Sequence, residues 1–327
     1  MVIAVILLFV AATATSPPLA WQAELRPDGS LGTVLLARRH VVSTTKEADS
    51  KIPANVLFNH KRNLLNASEE DIAGDEQEKL LQTNVRHTIS SFRGAASAKV
   101  LFWDNEQCSE GLRSLPEEFG GEELQRDFAE EEVGMVKSDL CRLAMLYLYG
   151  GYYFDTDILP VVSMRDQLDK DVTFSTVVAS GNEAFFQAFL AASPRHPLIA
   201  KAIHRFKDWY HELRQPGVDP GQMRSELANG NIGTSLLKQA YRSWSGQDVQ
   251  LKVTHHNGHV SRFFLESAIM DLPISYSSAL PGRSDGFCNY AVVDPSSQTL
   301  LMYSRVFDSH SHLKCIEEAN LLLDLAT

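Results

Sequence analysis

The stretch Lys137–Pro160, K-S-D-L-C-R-L-A-M-L-Y-L-Y-G-G-Y-Y-F-D-T-D-I-L-P, decides how the rest of the chain is read. Its first half is a nearly all-apolar helix, with Ser138 placed as the N-cap and Gly150-Gly151 as the stop. A helix of that composition is buried, yet it carries Asp139 and Arg142, three residues apart and therefore on one face. An unpaired charge there costs about 3–5 kcal/mol, so the two must meet each other or a ligand. After the glycines, Tyr152-Tyr153-Phe154 is a short β-prone run. Alternation along an extended Asp155-Thr156-Asp157 then points both carboxylates the same way. Paired carboxylates at a strand end make a hard, oxygen-rich site suited to Mn2+ or Mg2+.

These residues resemble the sugar-binding region of glycosyltransferases with a D-x-D motif. That group includes fungal initiating mannosyltransferases, animal α1,4-glycosyltransferases and, more distantly, glucosylating bacterial toxins. The shared pattern is S-D-x-x-R, an apolar helix, G-G-x-Y-x-D-x-D and then Pro. It is met by Ser138, Asp139, Arg142, Gly150, Gly151, Tyr153, Asp155, Asp157 and Pro160. The resemblance implies an α/β chain of the GT-A type, a Rossmann-like, mostly parallel sheet flanked by helices. It also implies a transferase that moves a hexose, with retention, from a nucleotide-diphosphate sugar to a glycan, glycolipid or glycoprotein acceptor.

By the same resemblance, Asp157 ligates the metal most directly. Asp155 reaches the metal shell and the ribose or sugar hydroxyls, while Asp139 and Arg142 hold the sugar ring. Ser138, Gly151 and Tyr153 belong to the donor-binding set. Phe58 and Asn59 follow from the strand that opens the nucleotide-binding half, with Lys61 either a phosphate contact or a solvated lysine. Asp104, in the Trp103-Asp104 step, is a donor-pocket edge residue or a turn aspartate, and Asn182 a sugar contact or a turn asparagine. A late histidine, His310 or His312, is the candidate third metal ligand.

The chain is 327 residues long with 44% apolar residues, enough for a full core. Its net charge of −11 and lack of any basic stripe exclude a nucleic-acid partner. Residues 1–20, apolar from Val2 to Ala14, are a secretory signal peptide or a short signal anchor that would associate the chain with a membrane. Residues 21–50 read as a polar stem, and 51–327 as one transferase domain, with a nucleotide-binding half to about 160 and an acceptor half after it. The expected location is the secretory lumen, that of the Golgi above all, to which the sequon Asn66-Ala67-Ser68 adds support.

Asn55-Val56-Leu57-Phe58, a helix over Glu76–Phe92 and Ala98–Trp103 form strand, helix, strand, the start of a doubly wound sheet. Val172–Val178 reads as a further strand, and Ala184–Ala192 as a helix. His196-Pro197 opens another helix, with His196 as a cap, and His255, His256 and His259 read as an exposed loop cluster. Four cysteines allow three pairings. Cys108 with Cys141 and Cys288 with Cys315 is the preferred one, with four buried thiols as the alternative. Three rival readings stay open: a catalytically silent nucleotide-sugar binder, an aspartate-nucleophile phosphatase using Asp155, and a purely structural secreted protein.

Overall fold

The computed structural model describes residues 21–25, 31–35, 50–68, 71–72, 74–92, 98–179, 184–219, 221–223, 232–247, 249–255, 257–268 and 290–304. The chain divides into two units, Met1–Glu47 and Ala48–Thr327. Within the first, strands Trp21–Leu25 (β1) and Leu31–Leu35 (β2) pair antiparallel, with Trp21 opposite Leu35.

Among the described residues, the second unit is a ten-stranded sheet with helices around it. Its first segment is strand Asn55–Asn59 (β3), helix Glu76–Ser91 (α1) and strand Lys99–Trp103 (β4), with β3 and β4 parallel. Asp75 caps α1 by accepting from the Glu78 N–H, as the first turn of a helix requires. Three helices follow: Asn105–Arg113 (α2), Gly121–Glu130 (α3) and Gly134–Tyr149 (α4). The chain then returns to the sheet as Gly151–Phe154 (β5), parallel to β3. The two glycines make that return possible. Gly150 has φ 60° and Gly151 φ 126°, and a Cβ on Gly151 would lie 2.6 Å from the Asn55 carbonyl oxygen of β3.

Beyond the short strand Leu159–Pro160 (β6), strands Phe174–Ala179 (β7) and Phe185–Ala192 (β8) pair antiparallel, and β8 also runs antiparallel to β5. The helix expected over Ala184–Ala192 is thus a strand. A continuous apolar run buried on both faces has no period to separate the two states. Helices Pro197–Leu213 (α5) and Ile232–Ser245 (α6) precede Lys252–Thr254 (β9), Val260–Ala268 (β10), Tyr290–Asp294 (β11) and Thr299–Ser304 (β12).

The strand order is β4-β3-β5-β8-β7-β10-β11-β12-β6, with β9 beside β10. Because β8 opposes both β5 and β7, and β10 is parallel to β7, strands β3, β4, β5, β7 and β10 all point one way. This is the α/β architecture the resemblance implies, with β8 and the β11–β12–β6 edge as its antiparallel parts.

One face of the sheet packs on α2 to α6 through residues such as Leu143, Tyr153, Phe185 and Tyr241. The other packs toward α1 through Phe58, Val85, Phe154 and Phe264. Each such side chain contributes about 1.5–3 kcal/mol of burial. The disulfide Cys108–Cys141 ties α2 to α4, as expected. The expected partner pair, Cys288 and Cys315, lies outside the described residues.

Candidate active site

Five strands ending on one edge leave a crevice beyond their carboxyl ends, the usual ligand site of such a sheet. There lies a cleft of about 470 Å³, lined by Asn59 at the end of β3, Asn105 after β4, Lys137, Ser138 and Arg142 of α4, and Asp155 and Asp157 after β5. Asp155-Thr156-Asp157 is a turn and not extended chain, yet both carboxylates reach the cleft.

Arg142 is the pivot of the wall. It is buried, and its Nη2 stands 3.3 Å from Asp139 Oδ1 and 3.2 Å from Asp155 Oδ1. Nη2 also donates to Ser138 Oγ at 2.7 Å, and Nη1 to the Gln187 carbonyl at 2.7 Å. The guanidinium lies over the Tyr153 ring, 4.8 Å from its centroid. Burial works against its charge, but Asp155, Tyr153, Asp139 and Asp157 together hold its pKa above the ordinary value.

Each partner is fixed in turn. The Tyr153 hydroxyl donates to Asp155 Oδ1 at 2.6 Å, and Oδ2 has no hydrogen bond among the described residues. Burial pushes the Tyr153 phenol well up, against the pull of Arg142, so it stays a donor. Ser138, expected as an N-cap, sits inside α4, whose N-cap is Val133. Its hydroxyl donates to Asn59 Oδ1 at 2.7 Å, while Asn59 Nδ2 donates back to the Ser138 carbonyl at 3.0 Å. This exchange clamps the end of β3 to α4.

Burial raises the Asp139 carboxyl to about 6, opposed by Arg142 and by the Gly233 N–H near the start of α6. A Cβ at position 233 would lie 1.9 Å from Asp139 Oδ2, so only glycine lets α6 approach.

Other expected residues fall elsewhere. Phe58 does not line the cleft: it is wholly buried between Phe102 and Phe154, with ring centroids at 5.9 and 6.3 Å, because its side chain points to the α1 face. Asp104 caps α2 in a reciprocal capping box with Gln107, which occupies its carboxylate. Gly151 serves the β5–β3 approach and not a ligand. Asn182, His310 and His312 lie outside the described residues.

His196 caps α5, its Nδ1 accepting from the Leu198 N–H. His255 and His259 are not an exposed loop but pack with His196 around Trp244. Missed by the sequence reading were Gln187, the lone amide in the apolar run Phe185–Ala192, and the tight seat of Gly233 against Asp139.

Among the described residues no group of three or more His, Cys, Asp or Glu side chains is arranged to hold a metal. The pair Asp155 and Asp157 nonetheless fits a hard divalent cation. Such ions take carboxylate oxygens and complete their shells with water and phosphate.

The motif region is similar to a family already defined. Residues 80–175 match the family described as the glycosyltransferase sugar-binding region containing a DXD motif, so the resemblance drawn from Lys137–Pro160 holds across that segment. Among named proteins, the chain is 34% identical over 109 residues to lactosylceramide 4-alpha-galactosyltransferase of Pongo pygmaeus, covering 33% of this chain and 41% of that one. The human protein of the same name is 28% identical over 109 residues, 33% of this chain and 25% of its own. Inositol phosphoceramide mannosyltransferase 1 of Schizosaccharomyces pombe is 31% identical over 77 residues, 23% of each. The matches thus span less than half the length of these relatives. A solved structure, PaToxG glycosyltransferase, superposes with a TM-score of 0.34 at 15% identity over 59% of this chain and 69% of that one, which adds nothing to the topology above.

Proposed function

We propose that this chain is a metal-dependent, retaining glycosyltransferase that moves a hexose from a nucleotide-diphosphate sugar to a glycan, glycolipid or glycoprotein acceptor. The observation that carries the reading is the wall of the cleft. Asp155 and Asp157 open onto it, and the buried Arg142 is hydrogen-bonded or ion-paired to groups on α4, on the turn after β5 and on β8. The names of the relatives favour a ceramide glycolipid as acceptor.

Asp155 and Asp157 would hold Mn2+ or Mg2+, which when bound stabilises the negative charge of a departing diphosphate. The chain's own residues do the rest. The Tyr153 hydroxyl and Arg142 fix the Asp155 carboxylate through Oδ1, so that Oδ2 stays turned to ligands. Arg142, preorganised and positive at any working pH, supplies a fixed charge beside the site where an oxocarbenium-like sugar and its leaving oxygen separate. Asn59 and Ser138 hold the β3 and α4 sides of the cleft at a set spacing.

The Cys108–Cys141 disulfide suits an oxidising compartment and supports a secretory-lumen location. Among the described residues no helix is long and apolar enough to cross a membrane. Membrane association therefore rests on the apolar stretch Val2–Ala14, whose structure is outside the described residues.

The test is a panel of UDP- and GDP-hexoses with MnCl2, read as nucleotide released without acceptor and as transfer to ceramide glycolipids. One donor should be turned over, and Asp157→Ala should lower the rate by at least about 10²-fold while the fold is kept. Binding of the nucleotide without any turnover would identify a silent relative. An acyl-phosphate trapped on Asp155 would identify a phosphatase.

A further inference from the structure

Gln187 stands out among the buried polar groups. It is 2% exposed, and neither its Nε2 nor its Oε1 has a hydrogen-bond partner among the described residues. Native proteins rarely leave a buried amide wholly unmade, because its lost water contacts go uncompensated. Such a group calls for an explanation, and a catalytic role is one of those recognised.

Its place in the fold points the same way. The pairing of β7 with β8 slips between Thr176 and Val177, so that Val177 faces Phe186 while Thr176 faces Leu190. Gln187 lies in the resulting bulge, a device that often re-aims side chains at active sites. The carbonyl of Gln187 accepts from Arg142 Nη1 at 2.7 Å, and the next carbonyl, of Ala188, accepts from the Asp155 N–H at 2.8 Å. The bulge is therefore joined to both an arginine and a carboxylate that line the cleft. Phe186 and Ala188, on either side, pack into the core on the α1 face. By alternation with those two, Gln187 falls on the other face of the sheet, which Tyr153 shares with α4, next to the cleft wall though not itself among the lining residues.

We propose that the Gln187 amide reads the hydroxyls of the transferred sugar, and so is a specificity-determining residue for the donor hexose. A primary amide both donates and accepts, which matches adjacent sugar hydroxyls. A site built to hydrogen-bond a hydroxyl also rejects analogues that misplace it. The inference rests on the transferase reading above.

Calorimetry with Mn2+ separates the two. The protein is titrated with a nucleoside diphosphate, with its matching hexose conjugate and with the conjugate of an epimeric hexose. Gln187→Leu and Gln187→Met keep the side-chain bulk and remove the orphaned polar atoms, so each variant should melt at or above the wild-type temperature. Affinity for the bare nucleoside diphosphate should stay within about twofold, while affinity for the preferred conjugate drops roughly tenfold and the epimer preference collapses.

A folded variant that keeps both the sugar increment and the epimer preference would overturn the inference and leave the transferase reading standing. Wild-type protein that discriminates epimers through Gln187 yet transfers nothing would do the reverse. Wild type indifferent to the sugar altogether would remove both.

Discussion

Arg142 is the residue on which most of the site geometry converges, and its removal tests that geometry without any substrate. Arg142→Ala leaves Asp139 and Asp155 without their cation, and Asp139 is 4% exposed. Breaking a buried pair from one side costs about 3–5 kcal/mol, so the variant should unfold at markedly lower urea while Asp157→Ala does not. Arg142→Lys should recover little, since one ammonium cannot serve Asp139, Asp155, Ser138 and the Gln187 carbonyl together. Gly233→Ala is the second test at this scale. Its Cβ would overlap Asp139 Oδ2, and the expected loss is about 1–3 kcal/mol, visible as a lower melting temperature. Two charges in an apolar helix were enough to read the Asp139–Arg142 pairing from the sequence. That Asp155 and Gln187 join it was not legible, because both contacts depend on long-range packing of β5 and β8 against α4.

Among the elements, α4 carries the site and α2 braces it through Cys108–Cys141, whose sulfur-bearing residues also line the cleft. The bridge spans a sequence separation of 33, for which chain entropy gives about 3–4 kcal/mol of stabilisation. Cys108→Ala with Cys141→Ala should therefore melt well below wild type, and dithiothreitol should shift wild type toward the variant while leaving the variant unmoved. Strong local signals made β3, α1, β4 and β7 legible: the helical spacing of Leu80, Leu81, Val85 and Ile89, and the short apolar strands around it. Strand β8 was not, because Phe185–Ala192 is buried on both faces and three of its eight residues are alanine. Ser138 was misread for a related reason: a serine at the head of an apolar run looks like a cap, whereas α4 begins earlier, at Gly134, and uses that hydroxyl to bridge Asn59 and Arg142.

Across the whole molecule, the polarity of the sheet separates chemistry from support. The cleft lies beyond the carboxyl ends of β3, β4 and β5, while His196, His255 and His259 gather around Trp244 near the amino ends of β7 and β10. Burial, with the neighbouring His259 and His255, lowers His196 to about 3, against an ordinary 6.5. The unfolded chain therefore binds more protons between those values, and the stability His196 confers above pH 6.5 is lost as pH falls toward 3. From pH 7 to pH 5 that loss is about 2 kcal/mol. Asp139 works in the opposite sense. Its folded carboxyl, raised to about 6 from 3.8, takes up protons first, so its contribution rises as pH falls through that window, by roughly 1–2 kcal/mol at pH 5. Over this range the two contributions act against each other, while burial also lowers His60 and His259 and adds to the loss on the histidine side. His196→Asn keeps an acceptor for the Leu198 N–H but removes the titrating ring. Urea denaturation of both proteins at pH 7 and pH 5 should show the variant's deficit shrinking by about 2 kcal/mol at the lower pH. A deficit equal at the two values would mean that His196 takes up its proton in the folded protein as readily as in the unfolded chain, so that burial does not lower its pKa.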